Sequence, residues 1–97
     1  MTDTSIAVVI VLQNNGEAVE RALKSVKNQY TPVDEIIVVD NESTGRGVDV
    51  VRTCNMDKVT LLTQPNSSLA AARNFGAYVA KSKYVAFLDS NDEWLPF

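Results

Sequence analysis

A chain of 97 residues, 45% of them hydrophobic, is long enough for one compact domain and too short for two. A charged share of 22% excludes a disordered chain, and the longest apolar run, Ile6 to Leu12, falls far short of the ~20 residues that cross a bilayer. A net charge of −3 argues against non-specific nucleic-acid binding, which depends on Lys and Arg neutralising phosphates.

The residue inventory narrows the chemistry further. Histidine is absent, which removes His-based triads, His general bases and ordinary zinc sites. Cys54 is the one cysteine and has no intramolecular partner, so a reducing, cytoplasmic setting is expected. No charged leader with a small-residue cleavage site precedes the first apolar run, so no signal peptide is expected. Any chemistry must use Asp, Glu, Asn, Arg and Lys, and a bound hard cation would take oxygen ligands from that set.

Ser5–Leu12 is a continuous apolar, β-branched run, the pattern of a strand buried on both faces. It ends at Gln13-Asn14-Asn15-Gly16, where Asn14 has Glu17 three positions on, as in a capping box. From Glu17 to Gln29 the period changes: Val19, Ala22, Leu23 and Val26 line one helical face, and Glu17–Arg21 and Glu20–Lys24 add surface pairs. Tyr30-Thr31-Pro32 stops that helix. A second buried strand, Glu35–Asp40, closes on the polar loop Asp40–Gly45. Val48–Cys54 reads as a short helix against the preference of its β-branched residues. Val59–Thr63 is a third strand, and Gln64-Pro65-Asn66 breaks the chain. Ser67 or Ser68 then caps a helix from Leu69 to Lys81, and Tyr84–Asp89 is the last strand.

The order β-α-β-α-β-α-β predicts a three-layer α/β/α, Rossmann-like unit over residues 1–97, with about four mostly parallel strands. Ligands of such sheets bind outside the carboxyl ends of the strands. Gln13 and Asn14 lie at the first such end, Asp40, Asn41 and Glu42 at the second, and Asp89, Asn91 and Asp92 at the fourth. Two readings stand: a polar crevice for a nucleotide whose phosphates a divalent cation offsets, or Asx residues that cap helices and turn chains. Arg73, near the start of the third helix, either reaches back toward a phosphate or is a solvated surface residue. Gly76 permits close helix–sheet contact at a cost of ~1 kcal/mol in helix propensity. Neither GxGxxG after the first strand nor GxxxxGK[ST] anywhere is present, so dinucleotide-binding and P-loop readings lack support.

Five segments in register, VVIVLQNN (8–15), SVKNQ (25–29), EIIVVDNEST (35–44), SLAAARNFGA (68–77) and YVAFLDSNDEWLP (84–96), together resemble glycosyltransferase family 2. That resemblance covers nearly the whole chain and matches the amino-terminal, nucleotide-binding part of the GT-A catalytic domain. It implies a nucleotide-sugar donor, most simply a UDP-sugar, and Mg²⁺ or Mn²⁺. It places Val11, Gln13 and Asn14 against the base, Asp40 and Asn41 at the base-recognition loop, and Arg73 near the donor nucleotide. Asp89 and Ser90 fall in the segment that meets the ribose and diphosphate, with Asn91 and Asp89 as metal ligands.

Three departures from the family pattern weaken that site. Gln13 stands where an aromatic would stack on the base, an interaction worth ~1–3 kcal/mol in single-stranded nucleic-acid sites. Asn41 replaces the second acid of the base loop, and Asn91 replaces the aspartate expected on the metal, supplying an oxygen without a charge. The resemblance assigns no catalytic residue here, because the family's general base lies well downstream of this segment. Asp92 and Glu93 qualify by chemistry alone. The alternative is a structural domain that kept the fold and lost the ligand. A receiver-like reading of Asp40 lacks the acid pair after the first strand and a lysine after a late one. An uncovered edge strand would favour a homodimer.

Overall fold

The computed structural model describes residues 4–13, 16–29, 32–42, 46–54, 58–64 and 68–89, without the side chains of 13, 16–18, 42, 46, 47, 53 and 54. The elements follow in the order β1 (Ile6–Gln13), α1 (Gly16–Lys27), β2 (Glu35–Glu42), α2 (Arg46–Cys54), β3 (Val59–Thr63), α3 (Leu69–Val79) and β4 (Tyr84–Asp89). The four strands form one sheet in the order β3-β2-β1-β4, and every neighbouring pair is parallel. The expected α/β architecture is therefore present.

Strand alternation explains how both faces are covered. Val8, Ile10, Leu12, Ile36, Val38 and Leu88 point to one side, where Val19, Ala22, Leu23 and Val26 of α1 and Val51 of α2 close over them. Val9, Val11, Ile37 and Val39 point to the other, under Ala72 of α3. Moving outward from β1 to β3 puts α1 and α2 on one face. Returning past β1 to β4 puts α3 on the other, as right-handed crossovers require. The sheet order reverses beside β1, so β1 and β4 bracket the switch point.

Local details agree with the sequence, with informative shifts. Ser68 is the N-cap of α3, its Oγ accepting from the Ala71 N–H at 3.0 Å. The Glu20–Lys24 pair forms at 2.9 Å, while the Asn14 cap and the Glu17 side chain lie outside the described parts. β2 runs two residues past Asp40 because the register with β1 slips there: Leu12 pairs with Asp40 but Gln13 with Glu42. Asn41 and Glu42 thus extend the strand beyond its expected end at Asp40, with a bulge-like irregularity between Asp40 and Glu42. α2 forms despite its β-branched residues because burial of Val51 against the α1-side core outweighs weak propensity.

The amino edge of the sheet is fastened by side chains. One oxygen of Glu35 accepts from the N–H of Lys81 at 2.6 Å, the N–H of Ser82 at 2.7 Å and the Ser82 hydroxyl at 2.9 Å. Asp34 accepts from Ile6 N–H at 2.7 Å, and Ser5 Oγ from Lys83 N–H at 2.9 Å. Burial pushes the Glu35 carboxyl up, but the Ser82 and Lys81 hydrogen bonds and the Lys81 charge outweigh it and hold it below its ordinary 4.5. A depressed folded-state value means that this clamp contributes fully above the unfolded glutamate range and is lost as pH falls through the folded value. Glu35→Gln is accordingly expected to lower the thermal midpoint at pH 7, with the difference from wild type shrinking as pH falls below the ordinary glutamate range. Midpoints that differ by the same amount at pH 7 and below that range would show that charge has no part in the clamp.

Candidate functional site at the carboxyl edge

The opposite edge of the sheet carries the polar groups singled out in the sequence. In register, Thr63 of β3, Asp40 of β2 and Leu12 of β1 form one row, and Val11 of β1 pairs with Asp89 of β4. Asp40 and Asp89 are two strand spacings apart, about 10 Å. They lie on opposite faces. Asp40 follows the alternation of Ile36 and Val38 toward α1 and α2, whereas Asp89 follows Val85 and Phe87 toward α3.

The side chains at this edge differ in burial, and burial sorts their roles. Asp40 and Asn41 are only 2% and 3% exposed. Each has a polar partner, and no buried side-chain nitrogen or oxygen among the described residues lacks a hydrogen bond. The Asp40 carbonyl accepts from Gln64 N–H at 2.9 Å, tying the end of β2 to the segment after β3. Val11 is buried in the α3-side core and supports the edge from below. Asp89 is exposed at the end of β4.

Arg73 enters from the helix. It sits one turn into α3, which starts at the carboxyl edge and runs away from it. Helical Cα–Cβ bonds tilt toward the helix amino end, so the side chain leans back toward this edge. Its guanidinium carbon lies 6.0 Å from the centre of the Phe87 ring, two residues before Asp89 on the same strand face. Arg73 thus meets Phe87 on the strand that ends at Asp89, beside the switch point, with Asp40 and Asn41 across β1 from that strand. Gln13 ends β1 at this edge, with its side chain undescribed; Asn14, Ser90 and Asn91 lie outside the described residues. Phe87 escaped the sequence reading, although an aromatic two positions ahead of a strand-end acid shares its face by the strand period.

A divalent cation is compatible with part of this edge. Among the described residues no three of His, Cys, Asp and Glu gather as a metal-holding group. Mg²⁺, however, is commonly held by one or two carboxylates with substrate phosphates and water completing the shell. Asp89, exposed and at the switch point, fits as one such oxygen ligand.

Comparison with known proteins places this chain in a family. The sequence model of Glycosyl transferase family 2 matches residues 7–96. YibD of Escherichia coli K12, described as an uncharacterised glycosyltransferase, is 37% identical over 93 residues, covering 94% of this chain and 27% of YibD. The mannosyltransferase PcManGT of Pyrobaculum calidifontis, solved with GDP-Man and Mn²⁺, superposes with a TM-score of 0.85 at 25% identity, over 97% of this chain and 29% of its own. Residues 1–349 of S. aureus TarS, solved with UDP-GlcNAc, share the fold with a TM-score of 0.76 at 24% identity, over 93% of this chain and 27% of that one. The chain therefore spans under a third of the length of each of these relatives. No described helix is long and apolar enough to cross a membrane. With its four parallel strands, its GT-A fold and the match over residues 7–96, this chain belongs to glycosyl transferase family 2.

Proposed function

We propose that residues 1–97 form the donor-binding part of a glycosyltransferase, holding the nucleotide of a sugar nucleotide, UDP-linked in the simplest case, across the carboxyl ends of β2, β1 and β4. The observation that supports this reading is the placement of Asp40, Asn41 and Asp89 at one edge of a parallel sheet, on both sides of its switch point, with Arg73 on the helix that starts at that edge. In this reading Asp40 accepts a hydrogen bond from the base, with Asn41, Gln13 and Asn14 beside it and Val11 beneath. Arg73 faces the diphosphate, and Asp89 and Ser90 meet the ribose and phosphates. Asp89 and Asn91 hold Mg²⁺ or Mn²⁺, which, when bound, offsets negative charge on the diphosphate leaving group.

Transfer itself needs a group that takes the acceptor's proton, and none of the 97 residues is assigned that role. The reading is thus binding without turnover in this chain, with the acceptor and sugar selected by residues of the longer relatives. The cytoplasm is the proposed setting, supported by a lone cysteine that has no partner within the sequence. Self-association through β4 is proposed as well, supported by Tyr84 and Phe87 standing exposed on that edge strand.

The test is an NMR titration of the 97-residue protein with UDP and Mg²⁺, repeated with Mn²⁺ to broaden nearby resonances. Amide shifts at Asp40, Asn41, Arg73 and Asp89, with Mn²⁺ broadening centred on Asp89, are the expected result. Unmoved resonances up to millimolar ligand would overturn it. That outcome would favour a structural domain without ligand, the reading that the amides at positions 13, 41 and 91 support.

A further inference from the structure

Phe87 is a large apolar side chain standing 46% exposed on an edge strand, on the face that carries Asp89. What covers one side of its ring is a cation: the Arg73 guanidinium, 6.0 Å from the ring centre and within the range of a cation–π contact. Arg73 is half-buried on α3, while Ala72 beside it packs into the core under the helix. The backbone from which Arg73 projects is therefore fixed, and only its long side chain needs holding.

We propose that Phe87 is a positioning residue for Arg73: its ring holds the guanidinium toward the carboxyl edge, on the strand that ends at Asp89, with its N–H groups presented to the diphosphate of the nucleotide. This rests on the donor-binding reading above. The physical argument is one of geometry. Arginine stacks through its flat face, whereas its five N–H donors lie in the plane and point outward from the rim. Contact with an aromatic ring therefore restrains the group without consuming the donors that a phosphate needs. A carboxylate in Phe87's place would hold Arg73 as well, but it would occupy those donors and cancel the charge. Lysine in Arg73's place would lack the flat face. Strand alternation does the rest, because Phe87 and Asp89 point the same way two residues apart. The ring that restrains the cation and the exposed Asp89 carboxylate are thereby placed on one face of one strand, two residues apart.

The experiment compares wild type, Phe87→Leu, Phe87→Tyr and Arg73→Ala with the Arg73→Ala/Phe87→Leu double variant, all in the 97-residue protein. The first readout needs no nucleotide. The Arg73 Nε–H resonance is expected to be shifted by the ring current, to move to the free-arginine position in Phe87→Leu, and to stay shifted in Phe87→Tyr. The second is affinity for UDP with Mg²⁺. Phe87→Leu is expected to weaken it about two- to fivefold, as an exposed cation–π contact allows. Phe87→Tyr restores it, and Phe87→Leu has no further effect once Arg73 is alanine. A structural role would lower affinity equally with or without Arg73. That result, or an Arg73 resonance indifferent to Phe87→Leu, would overturn the proposal. Failure of the wild-type protein to bind UDP at all would refute the donor reading and the role built on it. Binding that Phe87→Leu leaves intact would refute the positioning role alone.

Discussion

Gly76→Ala is expected to destabilise the protein by about 1–2 kcal/mol, even though alanine is the better helix former. A Cβ at this position would lie 2.5 Å from Cγ1 and 3.3 Å from Cγ2 of Val9, and 3.2 Å from Cγ2 of Val39. The first distance is far inside van der Waals contact. Valine is stiff at χ1, so Val9 cannot swing away without leaving its rotamer well. Both valines lie on central strands, so the sheet cannot easily yield. Overpacking costs ~1–3 kcal/mol, against a propensity gain of ~1 kcal/mol, and the clash wins. In a domain of this size each kcal/mol moves the thermal midpoint by roughly 4–8 °C. The expected drop is therefore large enough for a single melting curve.

The double variant decides the cause. Val9→Ala alone removes buried methyl groups and is expected to cost on the order of 2 kcal/mol. Combined with Gly76→Ala it opens the space that the new methyl needs, so the two losses should not add. Urea unfolding of the two single variants and the double variant measures the coupling. Strict additivity would mean that the glycine matters for something other than the approach of α3 to the sheet.

Asp40→Asn is expected to weaken UDP binding about ten- to a hundredfold. A hydrogen bond to a charged group contributes ~1.5–3 kcal/mol, and asparagine keeps the shape of the side chain while removing the charge. Asp40 suits such a bond because its position is set by the strand and not by a loop. It pairs with Leu12 on one side and Thr63 on the other. The isosteric change keeps packing intact, so thermal midpoints of the two proteins without ligand serve as the control. Calorimetric titration with UDP and Mg²⁺ reads the loss. Equal affinities would remove Asp40 from the site while leaving the Arg73 side of it standing.

Much of this fold was legible because period and burial agree along the chain. Val59–Thr63 and Tyr84–Asp89 appear as strands with the expected bounds, since each apolar run is flanked by turn residues. A serine cap at 67 or 68 and the close approach at Gly76 are likewise readable, because both depend on what one residue type can do locally, and the structure selects Ser68. The end of β2 was not. Asn41 and Glu42, beyond the expected strand end at Asp40, have turn chemistry, yet pairing with β1 through a shifted register draws them into the sheet. α3 ends two residues before the expected Lys81: Ala80 and Lys81 suit a helix, but the Lys81 N–H serves the Glu35 carboxylate across the sheet edge.

The amino-acid order by itself determined the alternation of strands and helices, the buried character of each strand and the family, since all of these reside in residue type and spacing along one chain. Only the tertiary structure decided which strands are neighbours, and with that which face each strand-end group occupies. Asp40 therefore lies toward α1 and α2, while Arg73, Phe87 and Asp89 share the α3 side. The physical reason is that pairing and helix–sheet packing join residues far apart in sequence, such as Glu35 with Ser82 and Arg73 with Phe87. Nothing in a local pattern reports the partner.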